Sequence, residues 1–374
     1  MAFITASFYF FYFAIVAVYV IFMPKVLNMV GYSPSEIGVL FAAAPLVRFA
    51  IPFLFLKYFS LSPKVFNAAL FLTLFASGLF HLYLHDFWLL MFSNILLGVG
   101  MSLVIPYVES VALSYMPKES YGRVRLFGSI GFILVSLVLV KYLDSPSNAI
   151  IFLNLSALLT LIFGLLISRY ERKNAIETSE GGKHFSLLEH WPLWLSLFLM
   201  QVAFGAFYNF FTIYASSQPI GIAELNISAI DMTIYLWSFG VICEVFMLYF
   251  QAPLLQNNLL RVLQFSVGIT IIRWVILALF PDNLYLLYLS QSIHAFSFAL
   301  YHSAAIMYLH SLYSNKKLSQ QFFAGIAYGL GGFTGAVGAG FIYEQSPQGL
   351  YLVAAFITLS SLLFLWMENK KLNA

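Results

Sequence analysis

The chain has 374 residues, 61% of them hydrophobic and 9% charged, with 40 Phe and 23 Tyr. Soluble domains carry about 25% charged residues, so a water-soluble globule is excluded. The net charge of +3 comes from bases scattered over short loops, which gives no nucleic-acid surface. One cysteine, Cys243, excludes an internal disulfide framework.

The first apolar run lacks a basic leader and a cleavage site, so it reads as a retained span. Each bilayer crossing uses about 20 apolar residues. Apolar runs broken by Pro, Gly and charges predict spans over 4–23, 36–58, 64–84, 87–115, 121–143 and 147–168. A second set follows over 192–216, 230–252, 259–280, 283–312, 318–343 and 348–367. Between the sets lies the one long polar segment, Ser168 to His190, whose RYERKNAIETSEGGKH predicts a flexible linker. The expected organisation is a six-helix bundle over 1–169, a cytoplasmic linker over 170–191 and a second six-helix bundle over 192–374.

Alternate loops differ in basic residues. Lys57, Lys64, Lys118, Arg169, Arg172, Lys173, Lys183, Arg261, Lys316, Lys317, Lys370 and Lys371 fall on one side, and Lys25 and Lys141 on the other. The positive-inside rule therefore predicts cytoplasmic termini and linker. The halves also echo each other: DFWLLMFSN from Asp86 matches DNLYLLYLSQ from Asp282, and YLDSP ending at Pro146 matches YEQSP ending at Pro347. Duplicated halves that rock about a midplane site are a transporter device.

Few ionisable residues remain inside the spans. Arg48, in LFAAAPLVRFAIPF, is either a site residue or a structural charge bonded to carbonyls that Pro45 or Pro52 leaves free. Glu109 follows Pro106, where a bent helix suits a binding cavity. Arg125, in YGRVRLFGSIGF, offers a planar fork to Glu109 or to a substrate anion, unless it faces the cytoplasm with Arg123. On the seventh span, Gln201, Tyr208 and Asn209 are candidate substrate contacts or interhelical glue.

The costliest stretch is IYLWSFGVICEVFMLY, 234–249, with Glu244 alone in an apolar helix. A mid-bilayer charge costs about 2.5–3.5 kcal/mol on insertion scales and marks a site that binds, pairs or carries a proton. Arg273 on the ninth span and His294 on the tenth are its expected partners, with His302 further along as a substrate contact. A histidine beside a carboxylate can exchange protons near neutral pH, although buried ion pairs also serve structure alone. The GLGGFTGAVGAG run of 329–340 lacks a following Lys-Ser or Lys-Thr and reads as helix packing, not a phosphate loop. No HExxH, cysteine pair or G-x-S-x-G occurs, so neither an enzyme nor a metal site is expected.

With these residues in view, the chain resembles the major facilitator superfamily, and within it the phenylpropionate-permease-like group related to lactose permease and to oligosaccharide and nucleoside proton symporters. The most specific pieces are YGRVRLFGS at 121–129, YLWSFGVICEV at 235–245, the Arg273 helix and the stretch from His294 to His302. The resemblance implies that Glu109 and Arg125 bind substrate and that Glu244, Arg273 and His294 link substrate to proton. It departs where Ser297 replaces a second acid after the histidine, where Gln291 and Tyr328 replace lysines, and where FLKYFSLSPK replaces the usual signature between spans two and three.

The fold expected is all-α, twelve transmembrane helices in two pseudo-symmetric bundles around a central cavity. The activity expected is proton-coupled uptake of a small organic solute by alternating access, an aromatic carboxylate first. A sugar or nucleoside symporter, an exporter, and a non-transporting receptor or scaffold are the alternatives. The partners expected are the solute, protons and the bilayer of a bacterial inner membrane, with no cofactor and a monomeric state.

Overall fold

The structure, a computed structural model, describes residues 1–32, 34–142, 145–174, 185–225, 227–256 and 258–373. The middle of the expected linker, 175–184 with Lys183, and positions 143 and 144 of the YLDSP cue lie outside the described residues.

The described residues form twelve long helices, and the nearest thing to a sheet among them is one antiparallel bridge, Ile222 to Ile227. Helix α1 runs Ala2–Ala17, through a π turn Val18–Phe22, into Met23–Val30. Then come α2 (Pro34–Lys57), α3 (Pro63–Leu82), α4 (Phe87–Tyr115), α5 (Lys118–Tyr142) and α6 (Pro146–Asn174). After a short turn, Leu188–His190, follow α7 (Trp191–Ser216), α8 (Ala229–Phe250) and α9 (Leu259–Leu279). Helix α10 joins Leu284–His294, a π segment Ala295–Leu300 and Tyr301–Leu312. Helix α11 joins Lys316–Phe323, a π segment Ala324–Gly331 and Gly332–Gln345, and α12 is Pro347–Asn373. Among the described residues, nine of these helices are long and apolar enough to cross a membrane, so the protein is a multi-pass, all-α membrane protein whose spanning segments satisfy their backbone hydrogen bonds internally.

Local chemistry sets the helix starts. Ser62, Asp86, Asn258, Asn283 and Asn315 each accept a hydrogen bond from the backbone N–H three residues on. Such N-caps contribute about 1 kcal/mol each. The two echoing motifs do the same work one residue out of step, with Asp86 capping α4 and Asn283 capping α10. Three helix ends lie well beyond the sequence expectation, one of them that of α12, which runs to Asn373 and not to about 367. Helix α1 passes Pro24, which has no amide hydrogen for the carbonyl of Val20, and the widened π turn lies directly before it. The chain breaks instead at Gly31, whose φ of 105° suits glycine. Helix α6 continues to Asn174, beyond the apolar run that ends near 168.

Contacts group the chain into two compact units, Met1–Phe185 with Leu309–Gly325, and Ser186–Tyr308 with Ile326–Ala374. In the first, α1 packs on α5 and α6, α3 on α4 and α6, and α2 on α4. The second repeats the scheme six helices later, with α7 on α11 and α12, α9 on α10 and α12, and α8 on α10. The tightest crossings repeat too. A Cβ on Gly131 of α5 would lie 2.2 Å from the Phe10 carbonyl oxygen of α1, and one on Gly205 of α7 would lie 2.3 Å from the Gly335 carbonyl carbon of α11. The glycine-rich run of α11 is therefore used for backbone-to-backbone packing. In the second unit a buried pair, His190 Nδ1 to Glu368 Oε1 at 2.5 Å, ties the start of α7 to the end of α12.

These crossings yield a test. Gly131→Val and Gly335→Val should each destabilise the protein by about 1–3 kcal/mol through overpacking, read as a lower unfolding midpoint in detergent. Gly268→Ala, where a Cβ meets nothing within 4 Å, should leave the midpoint unchanged or slightly raised.

Candidate functional site

Among the described residues, each unit holds a buried cluster that contains an arginine and a carboxylate. In the first, Glu109 on α4 is fully buried and Arg125 on α5 nearly so, with Arg125 Nε 3.4 Å from Glu109 Oε1. The Tyr121 hydroxyl donates to Glu109 Oε2 at 2.5 Å. Tyr121 and Arg125 are one helical turn apart on α5 and so approach the carboxylate together. The guanidinium lies 4.1 Å from the centre of the Phe13 ring and 5.2 Å from that of Tyr9. Gly128 makes this possible, because a Cβ there would fall 2.7 Å from the Phe13 ring and 2.8 Å from Arg125 Nη1. Arg48 on α2 stands apart, half-buried, with no hydrogen-bond or ion-pair partner among the described residues.

The second cluster gathers on α7, α8, α9 and α10. His294 Nε2 lies 3.9 Å from Glu244 Oε2, and both side chains are buried. Arg273 does not join them in an ion pair among the described residues. Its Nη1 donates to Ser297 Oγ at a long 3.4 Å, while Nε and Nη2 have no hydrogen-bond partner there. Its charge is carried instead by rings: Cζ is 4.0 Å from the centre of Phe207, 4.7 Å from Trp274 and 5.7 Å from Phe204. Phe207 also lies 5.5 Å, centre to centre, from the His294 ring, so one aromatic side chain borders both groups. Along α10, His294 stacks on Phe298, which stacks on His302. The His302 Nδ1 lies 2.7 Å from the Tyr328 hydroxyl of α11.

The α7 candidates divide. Tyr208 packs its ring on Phe204 and Phe207 yet stays 44% exposed. Asn209 turns back on its own helix, donating to the Gly205 carbonyl at 2.9 Å, and Gln201 is buried near Gly331, where a Cβ would come 3.1 Å from its own. The structure thus brings Glu109 to Arg125, and Glu244 to His294 with Arg273 beside Phe207, whereas Arg48 and Asn209 stay outside both clusters. Sequence reasoning passed over Tyr121, although it opens the YGRVRLFGS stretch one turn before Arg125. Phe207 could not be told from the many lipid-facing aromatics. A small cavity of about 40 Å³ in the second unit is lined by Val202, Ala206, Gly335, Ile342 and Leu350 among others, and is a packing gap without ionisable groups.

The model of the MFS_1 like family matches residues 3–353. The chain belongs to that family. A relative in Escherichia coli K12, named a probable 3-phenylpropionic acid transporter, is 26% identical over 375 residues, covering 95% of this chain and 94% of its own. The fold is that of solved major facilitator structures. The E. coli fucose:proton symporter FucP superposes with a TM-score of 0.72 at 16% identity, covering 98% of each chain. The human organic anion transporter MFSD10 gives 0.75 at 11%, covering 97% of this chain and 98% of its own. This MFS_1 like protein is therefore a transporter of the major facilitator type, with two polar clusters buried inside its helices.

The first cluster supports a prediction on stability. Glu109→Gln leaves the Arg125 charge buried without its carboxylate and should cost about 3–5 kcal/mol, whereas the double variant Glu109→Gln/Arg125→Gln should recover most of it. Equilibrium unfolding of the single and double variants in detergent measures both.

Proposed function

We propose that the protein is a secondary active transporter that takes up a small aromatic carboxylate together with protons, by alternating access between its two six-helix halves. The observation that carries this reading is Arg273, a fully buried guanidinium with two donor atoms unpartnered among the described residues and aromatic rings on its faces. A buried cation ordinarily requires an anion, and unfilled donors of this kind are rare in folded proteins. A substrate carboxylate would complete the site, with Phe207 and Phe204 forming flat walls for a ring. The name of the E. coli relative points to the same chemistry.

The His294–Glu244 pair supplies the coupling. At 3.9 Å the carboxylate and the imidazole are in electrostatic contact without a hydrogen bond, so a proton taken up by either group changes the net charge beside the incoming anion. The proton binds from the outside, the carboxylate docks on Arg273, and both leave on the inside before the empty carrier returns. We place the protein in a bacterial cytoplasmic membrane with both termini inside, on the distribution of Lys and Arg over its loops.

Proteoliposomes loaded at alkaline pH and diluted into acid provide the test. Wild-type protein should concentrate labelled phenylpropionate, and a protonophore should abolish the accumulation. Glu244→Gln should lose accumulation while keeping substrate exchange between equal pools. Undiminished uphill uptake by Glu244→Gln would show that Glu244 is not the proton carrier. Arg273→Met should raise the substrate concentration needed for half-maximal exchange by at least about tenfold, the value of one charged hydrogen bond.

A further inference from the structure

Gln291 has no part in the scheme above. It sits on α10 one turn before His294, on the same face, and is fully buried. Neither Nε2 nor Oε1 has a hydrogen-bond partner among the described residues. Exchanging the two amide atoms would not help, because both ends are open. Opposite it on α8 is Gly240, where a Cβ would lie 3.0 Å from Gln291 Oε1. The amide therefore packs against bare backbone of α8, in volume that a side chain at position 240 would take up. Gly240 and Glu244 are one turn apart on α8, as Gln291 and His294 are on α10, so the amide and the proton-carrying pair are successive layers between the same two helices.

A buried amide left unbonded at both ends is costly, and it asks for a ligand that both donates and accepts. A carboxylate accepts only and would leave Oε1 open. A hydroxyl answers both atoms, donating to Oε1 and accepting from Nε2. Spacing supports the same choice. Arg273 reaches α10 at Ser297, six residues from Gln291, which is about 9 Å along the axis at α-helical rise and somewhat less here because Ser297 lies in the widened π segment. An aromatic ring bearing a three-carbon acid chain spans about 8 Å from carboxylate to ring hydroxyl at ordinary bond lengths.

We propose that Gln291 is a specificity-determining residue that binds a ring hydroxyl, so that the preferred substrate is a hydroxylated aryl carboxylate held by Arg273 at one end and Gln291 at the other. This rests on the carboxylate reading of Arg273. Discrimination follows from the cost of the empty site, since a substrate without the hydroxyl leaves the amide unpaired.

The experiment compares kcat/KM for uptake of phenylpropionate and of its ortho-, meta- and para-hydroxy analogues in proteoliposomes. Wild-type protein should favour the best hydroxylated acid over phenylpropionate by at least about tenfold. Gln291→Leu should erase that ratio by lowering the hydroxylated acid while keeping phenylpropionate within about twofold, and its unfolding midpoint without substrate should not fall, because an unpaired amide has been removed. Gly240→Ala, which crowds Oε1, should reduce the ratio in the same direction and serves where Gln291→Leu expresses poorly. Equal wild-type rates for all four acids, or a uniform loss for all of them in both variants, would overturn the assignment of Gln291 and leave the carboxylate reading standing. Transport of none of the acids by wild-type protein would instead overturn the carboxylate reading, and this one with it.

Discussion

The rest of the structure depends on the cost of holding charge inside hydrocarbon. Each unit meets that cost in its own way. In the first, Glu109 and Arg125 compensate each other at 3.4 Å, Tyr121 satisfies the second carboxylate oxygen, and Phe13 covers the guanidinium. In the second, Arg273 is assigned no carboxylate and rests on Phe207 and Trp274, while the nearby carboxylate, Glu244, faces His294. Cation–π contacts contribute about 2 kcal/mol or more when desolvated, less than a buried ion pair would require. Among the described residues, the Arg273 site is therefore electrostatically incomplete where the Arg125 site is closed.

Helix packing explains how such groups reach one another at all. Close approach at Gly131 and at Gly205 with Gly335 brings backbones together without side chains between them. Gly128 applies the same device to a functional group, clearing the volume that Arg125 and Phe13 occupy. The π segment of α10 begins directly after His294 and contains Ser297. Widened turns of this kind shift the register of every later side chain and are frequent at functional sites. Here the shift lies between the histidine that faces Glu244 and the histidine that faces Tyr328.

The sequence made the fold legible because a bilayer allows so few solutions. Runs of apolar residues, interrupted by Asp86, Asn258, Asn283 and Pro347, fall at the helix starts because those residue types cap helices or begin them. The extension of α1 past Pro24 was not legible, since a proline reads as a stop unless a π turn precedes it, and no residue type signals that turn. Glu109, Arg125, Glu244, Arg273 and His294 stood out by cost alone. What cost could not give was pairing. That Arg273 turns to rings while Glu244 turns to His294 depends on side-chain direction across four helices, which spacing on any one of them does not contain. Gln291 was equally hidden, because an amide is cheap enough to pass for interhelical glue.

The contrast between the Arg125 and Arg273 sites bears on the proposed coupling of an anion to a proton. A guanidinium already neutralised by a carboxylate, as Arg125 is, gains little from a substrate anion and must give up an ion pair to receive it. Arg273 gives up only a long contact to Ser297 and the faces of rings, so an arriving carboxylate adds charge stabilisation with little to displace. Ser297 matters for the same reason. An acidic residue at that position would lie within reach of Arg273 Nη1 and would occupy the guanidinium permanently, whereas the hydroxyl leaves its charge available. In the proposed scheme, the neutral side chain one turn after His294 is what keeps the Arg273 guanidinium open to an anion, and it leaves Glu244 and His294 as the proposed proton carriers.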